Sequence, residues 1–486
     1  MVMQTLQIRL TKGLIEEISK LVTRGIYPST SECVRDAVRR LITGTGKMEV
    51  PEKEVKEVQE KVAKEVEKEI KDQFQKPKGT VDFYPKEMAV RKTIFRKLMA
   101  CAERYSFKQI ESPAFESFAL LSKKEGEEIR QQIFTLEQKG KESFGLRFDL
   151  TVPAARMFIE KQKQLPKPVK WFYLSRMWRY EAPQRGRLRE FYQFSAEIFG
   201  SSKPEADAEI ISLAIDALKS TGLTEKEFFV KINNRKILEG LLLDVIDKSK
   251  MDDAMRIIDK RSKITEEEFD EELKKAGIKE IDKINKIISM KDIEEVKKLR
   301  LNGVGKEGLD ELNSILKLLK NKKDFIRVDL STARGLAYYT GTVFEIYDID
   351  ERYRALAGGG RYDKMIEMFK GQPTPATGFA VGYATLSLLL ENKDLIPKVD
   401  LGPDYYIAII GDAKEKAREI IEKLREKYKV EIDLSQRNLG NQLKYANAIG
   451  AKKVMFIGPD ELKQGIVKVK DMASGNEGSM KIEELQ

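Results

Sequence analysis

The chain has 486 residues, 41% hydrophobic and 35% charged, and its 89 Lys and Arg outnumber 79 Asp and Glu to leave a formal net charge of +10. Such a length predicts several domains with buried cores, while the lack of an apolar run near eighteen residues or of a secretory signal pattern argues against a membrane span and for a cytosolic protein. Only Cys33 and Cys101 are present, which excludes a disulfide framework and a CxxC zinc site, and the cationic excess favours a polyanionic partner.

Residues 3–10, MQTLQIRL, alternate: Leu6, Ile8 and Leu10 share one face, and Thr5, Gln7 and Arg9 the other, which predicts a strand. Amphipathic helices are expected over Lys12–Arg24 and Ser31–Ile42, the second opened by the capping signal Ser29-Thr30-Ser31-Glu32. These elements cannot bury a core alone. The unit over residues 1–45 resembles a ribbon-helix-helix domain, which pairs strands between two copies and presents the outer strand face to DNA. That resemblance makes Thr5, Gln7 and Arg9 base-reading candidates; the alternative is a dimerisation module with no DNA target.

Residues 46–76 are a charged helical linker in which Val55, Val58, Val62, Val66 and Ile70 form a narrow apolar stripe, suited to a short coiled coil or to lying on the next domain. From 77 to 239 the chain carries KGTVDFYP (78–85), a helix near Glu87–Tyr105, a run ending ESPAFE (111–116) and LRFDLTVPAAR (146–156). Asp149 and Thr151, two apart, point the same way if that last segment is extended. Then comes WFYLSRMWRYEAPQRGRLREFYQFSAEIFG (171–200), two aromatic-rich runs flanking the polar connection Pro183-Gln184-Arg185-Gly186-Arg187. It reads as a β-hairpin. Strand alternation puts Arg179 with Glu181 on one face of the first run, and Arg189, Gln193 and Glu197 on one face of the second. Cations, an amide and a carboxylate on one hairpin floor suit a zwitterion and a polyphosphate, and a salt-bridged edge hairpin is the plainer alternative.

Residues 240–323 are rich in Lys, Glu, Leu and Ile with helical periodicity. Residues 324–396 contain RGLAYYTGTVFEIYD (334–348) and AGGGRYDKM (357–365), and residues 402–486 alternate strand and helix, predicting a small α/β sheet domain.

The hairpin resembles motif 2 of the class II aminoacyl-tRNA synthetases, and in detail that of the histidyl-tRNA synthetase family. KGTVDFYP resembles the family's opening signature, with Val81 where Arg is usual. ESPAFE resembles motif 1, and RGLAYYTGTVFEIYD and AGGGRYDKM resemble the two histidine-specific motifs. The match spans roughly residues 76–486. It implies an α+β and α/β multidomain protein: an antiparallel class II sheet core (77–239 and 324–396), a helical insertion (240–323), an anticodon-binding domain (402–486) and the small N-terminal unit. Motif 3 departs from the family pattern, because Tyr383-Ala384-Thr385 leaves Thr385 where an ATP-binding Arg is expected.

The resemblance further implies ATP and L-histidine as substrates, Mg²⁺ through acidic groups that the sequence does not identify, tRNA-His as acceptor and a homodimer through motif 1 and its Pro113. Arg179, Arg187 and Arg334 would carry the phosphate chemistry, with Glu181 near the adenine. Asp149, Thr151 and Gln193 would hold the amino group, and Glu197 with Tyr338 and Tyr339 would read the ring. Gln184 and Arg185 would meet the acceptor end, and Arg437, Asn438, Gln442 and Lys444 the anticodon side. Gly358, Gly359 and Gly360 are expected to let backbone approach the ligand. The chain has no histidine, so no imidazole serves as base or metal ligand; the phosphate oxygen of an adenylate is a sufficient proton acceptor in the transfer step. An enzyme charging histidine would thereby not depend on its own product during scarcity. The alternative is a non-aminoacylating relative that senses histidine or tRNA and signals through the N-terminal unit.

Overall fold

The computed structural model describes residues 10–43, 75–123, 127–138, 140–261, 264–334 and 338–485, and the chain divides into two compact units, residues 1–75 and 76–486. Thr5, Gln7, Arg9 and nearly all of the linker lie outside the described residues. In the first unit, helices α1 (Lys12–Thr23) and α2 (Thr30–Thr43) are joined by a turn in which Gly25 takes φ +71°. Ser29 Oγ accepts from Glu32 N at 3.2 Å, the expected capping signal. Ile15, Ile26 and Val38 remain 45%, 44% and 38% exposed.

The second unit begins with α3 (Pro85–Arg104), whose first turn holds Pro85, where a missing N–H costs nothing. Strands β1 (Lys108–Gln109), β2 (Phe115–Ser117) and β3 (Phe144–Leu146) precede α4 (Thr151–Lys161) and the long hairpin of β4 (Val169–Trp178) and β5 (Glu190–Phe199). Next are α5 (Pro204–Ser220), β6 (Phe228–Asn234), α6 (Arg235–Leu242), α7 (Met251–Lys260), α8 (Glu266–Lys275), α9 (Ile281–Ile288) and α10 (Gly303–Leu318). Strands β7 (Ile326–Val328), β8 (Thr342–Asp348), β9 (Ala357–Arg361) and β10 (Ala376–Gly382) complete the region, followed by α11 (Tyr383–Asn392).

The main sheet has the order β1-β4-β5-β10-β9-β8-β6-β7. Its six central strands are antiparallel, as expected, but the edge pairs β1–β4 and β6–β7 are parallel, so the sheet is mixed. Alternation along the strands sorts two cores. Phe172, Phe194, Ala196, Ile198, Phe344 and Phe379 face α3 and α5, and the same cluster runs on into Leu241, Ile258, Phe269, Ile288 and Leu312 of helices α6 to α10. The opposite face carries Tyr173, Phe199 and Val343, packed with Phe158 of α4 and with Tyr338, Tyr339 and Tyr362.

The glycine triplet is not a turn. It lies inside β9, with Gly359 opposite Phe379 and Phe344, and Gly360 opposite Gly378 and Val343. Arg361 closes this strand. It is 4% exposed and donates from Nε and Nη2 to Asp207 Oδ2 of α5 at 3.0 and 2.7 Å, and from Nη1 to Ser201 O at 2.9 Å.

The C-terminal region holds β11 (Tyr405–Ile409), α12 (Lys414–Arg425), β12 (Val430–Ile432), α13 (Leu439–Ala448), β13 (Lys453–Ile457), β14 (Ile466–Asp471) and β15 (Glu477–Lys481). They form a five-stranded sheet in the order β12-β11-β13-β14-β15. Its apolar residues divide between a face covered by α12 and one covered by α13. β15 was not expected from sequence. Its EGSMK is polar and almost wholly exposed, an edge strand held by backbone pairing with β14 and so without apolar alternation.

Replacing Arg361 by Met leaves a buried carboxylate uncompensated, so Arg361→Met is expected to lower unfolding free energy by about 3–5 kcal/mol in urea titration, with part regained in the Asp207→Asn/Arg361→Met double variant.

Candidate active site

The hairpin strands end sooner than alternation suggests. β4 stops at Trp178 and β5 begins at Glu190, so Arg179, Glu181 and Arg189 sit in the connection, where strand parity no longer governs them. Arg189 does not join Gln193 and Glu197. Its guanidinium lies 4.3 Å from the centre of the Tyr180 ring and donates to Glu181 O at 3.0 Å, while its backbone N–H bonds Gly79 O at 2.8 Å. Arg179 places its guanidinium carbon 5.2 Å from the Phe191 ring and donates Nε to Phe148 O at 3.1 Å. The Glu181 carboxylate pairs with Arg187 Nε. At the tip, reciprocal backbone bonds between Gln184 and Arg187 of 3.0 and 2.8 Å close a turn through Gly186 at φ +78°. The Gln184 and Arg185 side chains are exposed there.

Within the sheet, parity holds. Glu197 is 2% exposed; its Oε1 accepts from Tyr173 OH at 3.0 Å and Thr151 Oγ1 at 3.3 Å. Thr151 is the first residue of α4, so its approach to Glu197 comes from a helix start and not from the extended segment expected. Gln193 donates to Ser195 Oγ at 3.0 Å on the same face of β5. Burial, followed by Glu197 and Asp149, pushes the Tyr173 phenol well above its ordinary value. Tyr339 feels the same field: burial raises its phenol, Arg334 opposes and Glu197 adds to the rise. Tyr338, Tyr339 and Tyr362 form a ring cluster, with the first pair 4.7 Å apart at the centroids.

Arg334 adopts φ +47°, a left-handed conformation uncommon for a residue with a Cβ. Its Nη1 donates to Phe344 O at 3.3 Å and lies 4.0 Å from Glu345 Oε1, and its guanidinium carbon is 5.5 Å from the Tyr339 ring. Burial pulls this cation down, but Tyr339, Glu345 and Tyr338 together hold it above its ordinary value. Glu345 Oε2 in turn accepts from Tyr347 OH at 2.7 Å.

Missing side chains make this convergence possible. A Cβ on Gly358 would fall 1.4 Å from Arg334 Nη1, one on Gly378 would fall 1.9 Å from Glu197 Oε2, and one on Gly360 would fall 2.9 Å from the Tyr339 ring. The glycines therefore admit protein side chains, where sequence suggested direct approach of backbone to ligand.

Sequence reasoning missed Tyr173, Glu345 and Arg354. The first two reach the site face through cross-strand register, Tyr173 opposite Ser195 and Glu345 opposite Gly358, which the order of residues along one strand does not give. Arg354, in the connection between β8 and β9, had no sequence signal. It is exposed, and partial desolvation of its guanidinium lowers it below the ordinary value, with Arg187 and Arg179 lowering it further and Glu181 opposing. Arg354 makes no ion pair with a carboxylate among the described residues. Thr385 is 8% exposed, and its Oγ1 donates to Gly186 O at 3.4 Å, which seats the hairpin tip on α11.

The four candidates in the C-terminal region lie at the start of α13 and along it, with different duties. Arg437 pairs with Asp433 at 2.6 Å and covers Tyr445. Asn438 Oδ1 caps α13 through Asn441 N at 3.0 Å, and buried Gln442 donates to Arg437 O at 2.9 Å. Lys444 is exposed.

Two glycine substitutions separate the contacts. Gly378→Ala meets the fixed Ala196 carbonyl at 2.7 Å as well as Glu197, and an overpacking loss of about 1–3 kcal/mol is expected in urea titration. Gly358→Ala meets only the movable end of Arg334; its stability should change less, and a crystal structure should show the guanidinium displaced from Phe344 O.

Comparison with known proteins bears on the whole arrangement. Residues 79–386 match the model of the histidyl-tRNA synthetase family, and residues 404–486 match that of an anticodon binding domain. A histidine–tRNA ligase of Pyrococcus horikoshii is 41% identical over 424 residues, covering 85% of this chain and 97% of the relative. One from Natronomonas pharaonis is 41% identical over 406 residues, covering 82% and 94%. Among solved structures, a histidyl-tRNA synthetase from Nostoc superposes with TM-score 0.70 at 24% identity, covering 85% of this chain and 98% of that one. The apo S. aureus histidyl-tRNA synthetase gives TM-score 0.65 at 26% identity with the same coverage. With matches that run from the opening signature through both sheets, the chain belongs to the histidyl-tRNA synthetase family.

Proposed function

We propose that the chain acts as a histidine–tRNA ligase in which the assembled face of the main sheet performs both half-reactions. The observation that carries this is the meeting of Glu197, Tyr339 and Arg334 on one face, each in the space left by a glycine. Thr151 and Tyr173 hold Glu197 through Oε1, and Oε2, above Gly378, accepts from one imidazole N–H while the Tyr339 hydroxyl meets the other ring nitrogen. Asp149, with Gln193, takes the substrate ammonium. An amino acid without the ring leaves these buried groups unpaired, which is the costly kind of mismatch.

In the first half-reaction a histidine carboxylate oxygen attacks the α-phosphorus of ATP, the bond to the bridging oxygen breaks and pyrophosphate leaves. Arg179 and Arg334 neutralise charge gathering on the α-phosphate oxygens, and Glu181 orients Arg187 toward the phosphates. Arg354 supplies the cation that Thr385 does not, because it shares the field of Arg179 and Arg187. In the second, the terminal ribose hydroxyl of tRNA-His attacks the carbonyl carbon, the bond to the phosphate oxygen breaks, AMP leaves and a phosphate oxygen takes the proton. No imidazole is required, in keeping with a chain that has none.

No group of three His, Cys, Asp or Glu suited to a metal ion occurs among the described residues. The donor set does not fit a preformed cage for Mg²⁺, and the ion would enter bound to the nucleotide phosphates.

Gln184 and Arg185 reach the acceptor end from the exposed hairpin tip, and the C-terminal sheet with Lys444 meets the anticodon side. A homodimer through motif 1 buries Phe115, which is 49% exposed in the single chain. The N-terminal unit acts as a ribbon-helix-helix pairing module, a reading favoured by exposed Ile15, Ile26 and Val38, which a second copy would cover; DNA contact through Thr5, Gln7 and Arg9 belongs to the same proposal.

The test is histidine-dependent ATP–pyrophosphate exchange followed by charging of tRNA-His. Arg334→Ala is expected to lower kcat about 10²–10³-fold, and retention of wild-type exchange would remove its assigned role. Arg354→Ala should raise the KM for ATP about 10–100-fold, the worth of hydrogen bonds to a charged group, leaving the KM for histidine nearly unchanged.

A further inference from the structure

β6 and β7 pair in parallel through Ile232 opposite Val328, and one more backbone bond, Asp329 N to Ile232 O at 3.0 Å, follows. Beyond it the chain leaves the ladder and runs to Arg334, so the carbonyls of this buried stretch need donors from elsewhere. Side chains of the next residues of β6 and α6 supply them. Asn233, fully buried, donates from Nδ2 to Leu330 O at 3.1 Å and Thr332 O at 3.0 Å. Its own Oδ1 accepts from Asn234 N at 2.7 Å, which fixes which end of the amide faces the segment. Arg235 Nη1 then donates to Arg334 O at 3.2 Å and Ala333 O at 3.5 Å, and the Arg235 backbone N–H donates to Gly341 O at 3.0 Å, on the far side of the loop. Two side chains thus continue the hydrogen-bond ladder over the residues that carry Arg334 to φ +47°, a conformation uncommon for a residue with a Cβ that persists only when its surroundings impose it.

We propose that Asn233 and Arg235 are positioning residues for Arg334: by holding the 330–334 carbonyls they impose the left-handed backbone that aims the Arg334 guanidinium across Gly358 at the reacting phosphate. This rests on the role given to Arg334 above. The same tripeptide is tied to α10, because Asn234 Nδ2 donates to Glu311 Oε2 at 2.7 Å, so the clamp joins the helical region to the catalytic loop.

The test compares Arg235→Met, Arg235→Lys and Arg334→Ala, and the double variant Arg235→Met/Arg334→Ala, in the full-length chain by pyrophosphate exchange, thermal unfolding and backbone amide exchange. Arg235→Met is expected to lower kcat about 10–100-fold, as a displaced catalytic group does, with the KM values for ATP and histidine within about twofold of wild type. Arg235→Lys should restore part of kcat. The double variant should be no slower than Arg334→Ala alone, because both changes remove one contribution. Amides over 331–334 and 338–341 should exchange faster in Arg235→Met, while those of β5 and β10 stay protected. Additive losses in the double variant, an undiminished kcat, or a fall in kcat accompanied by loss of protection throughout the sheet would each overturn the proposal. Should the unaltered chain show no histidine-dependent exchange, the catalytic reading fails, and amide exchange around Arg334 by itself decides whether the clamp exists.

Discussion

The site depends on a strip of sheet that carries no side chains. Gly378 on β10 and Gly358 and Gly360 on β9 leave the face of the sheet bare where Glu197, Arg334 and Tyr339 converge. A methyl group at any of these positions would occupy volume that a working side chain now fills. Glycine in a central strand weakens the strand and packs nothing; here neighbouring strands on both sides hold β9 in place, and Arg361 anchors its end to α5 through a buried ion pair. Local weakness is thus offset by tertiary contacts, and a carboxylate, a cation and a phenol share a space that ordinary strand residues would have filled.

Charge is handled by separation. Glu197 is buried with the Tyr173 and Thr151 hydroxyls as donors, whereas Arg334 lies against backbone carbonyl, Glu345 and a tyrosine face. Toward the hairpin, Arg187 and Arg179 act on Arg354, with Glu181 and Tyr347 opposing. Thr385 fits this picture. With a short side chain there, the tip at Gly186 rests directly on α11, and a guanidinium in its place would have to displace the tip.

The absence of histidine becomes intelligible in the same terms. Every role in the proposed chemistry is filled by a guanidinium, a carboxylate, an amide, a hydroxyl or the substrate's own phosphate, so no step needs an imidazole from the protein.

Much of this was legible in the amino-acid order. Aromatic alternation located the long hairpin, Gln193 and Glu197 were placed on a common face by strand parity, and short apolar runs separated by helical periodicity outlined the C-terminal sheet, because strand and helix periods are local properties of the chain. Motif resemblance singled out Arg334, Tyr339 and Glu197, which the structure brings to one face of the main sheet. The positions that failed did so for physical reasons. Arg189 left its expected face because the strand ended before it, Thr151 reached Glu197 from a helix start, and β15 was invisible because an exposed edge strand owes its existence to its partner's hydrogen bonds. Arg354 and Arg235 carry no local pattern at all; one acquires its meaning from arginines more than 160 positions earlier, the other from carbonyls about a hundred positions later. Periodicity records which way a side chain points along one element, whereas what it meets depends on how strands distant in sequence lie side by side.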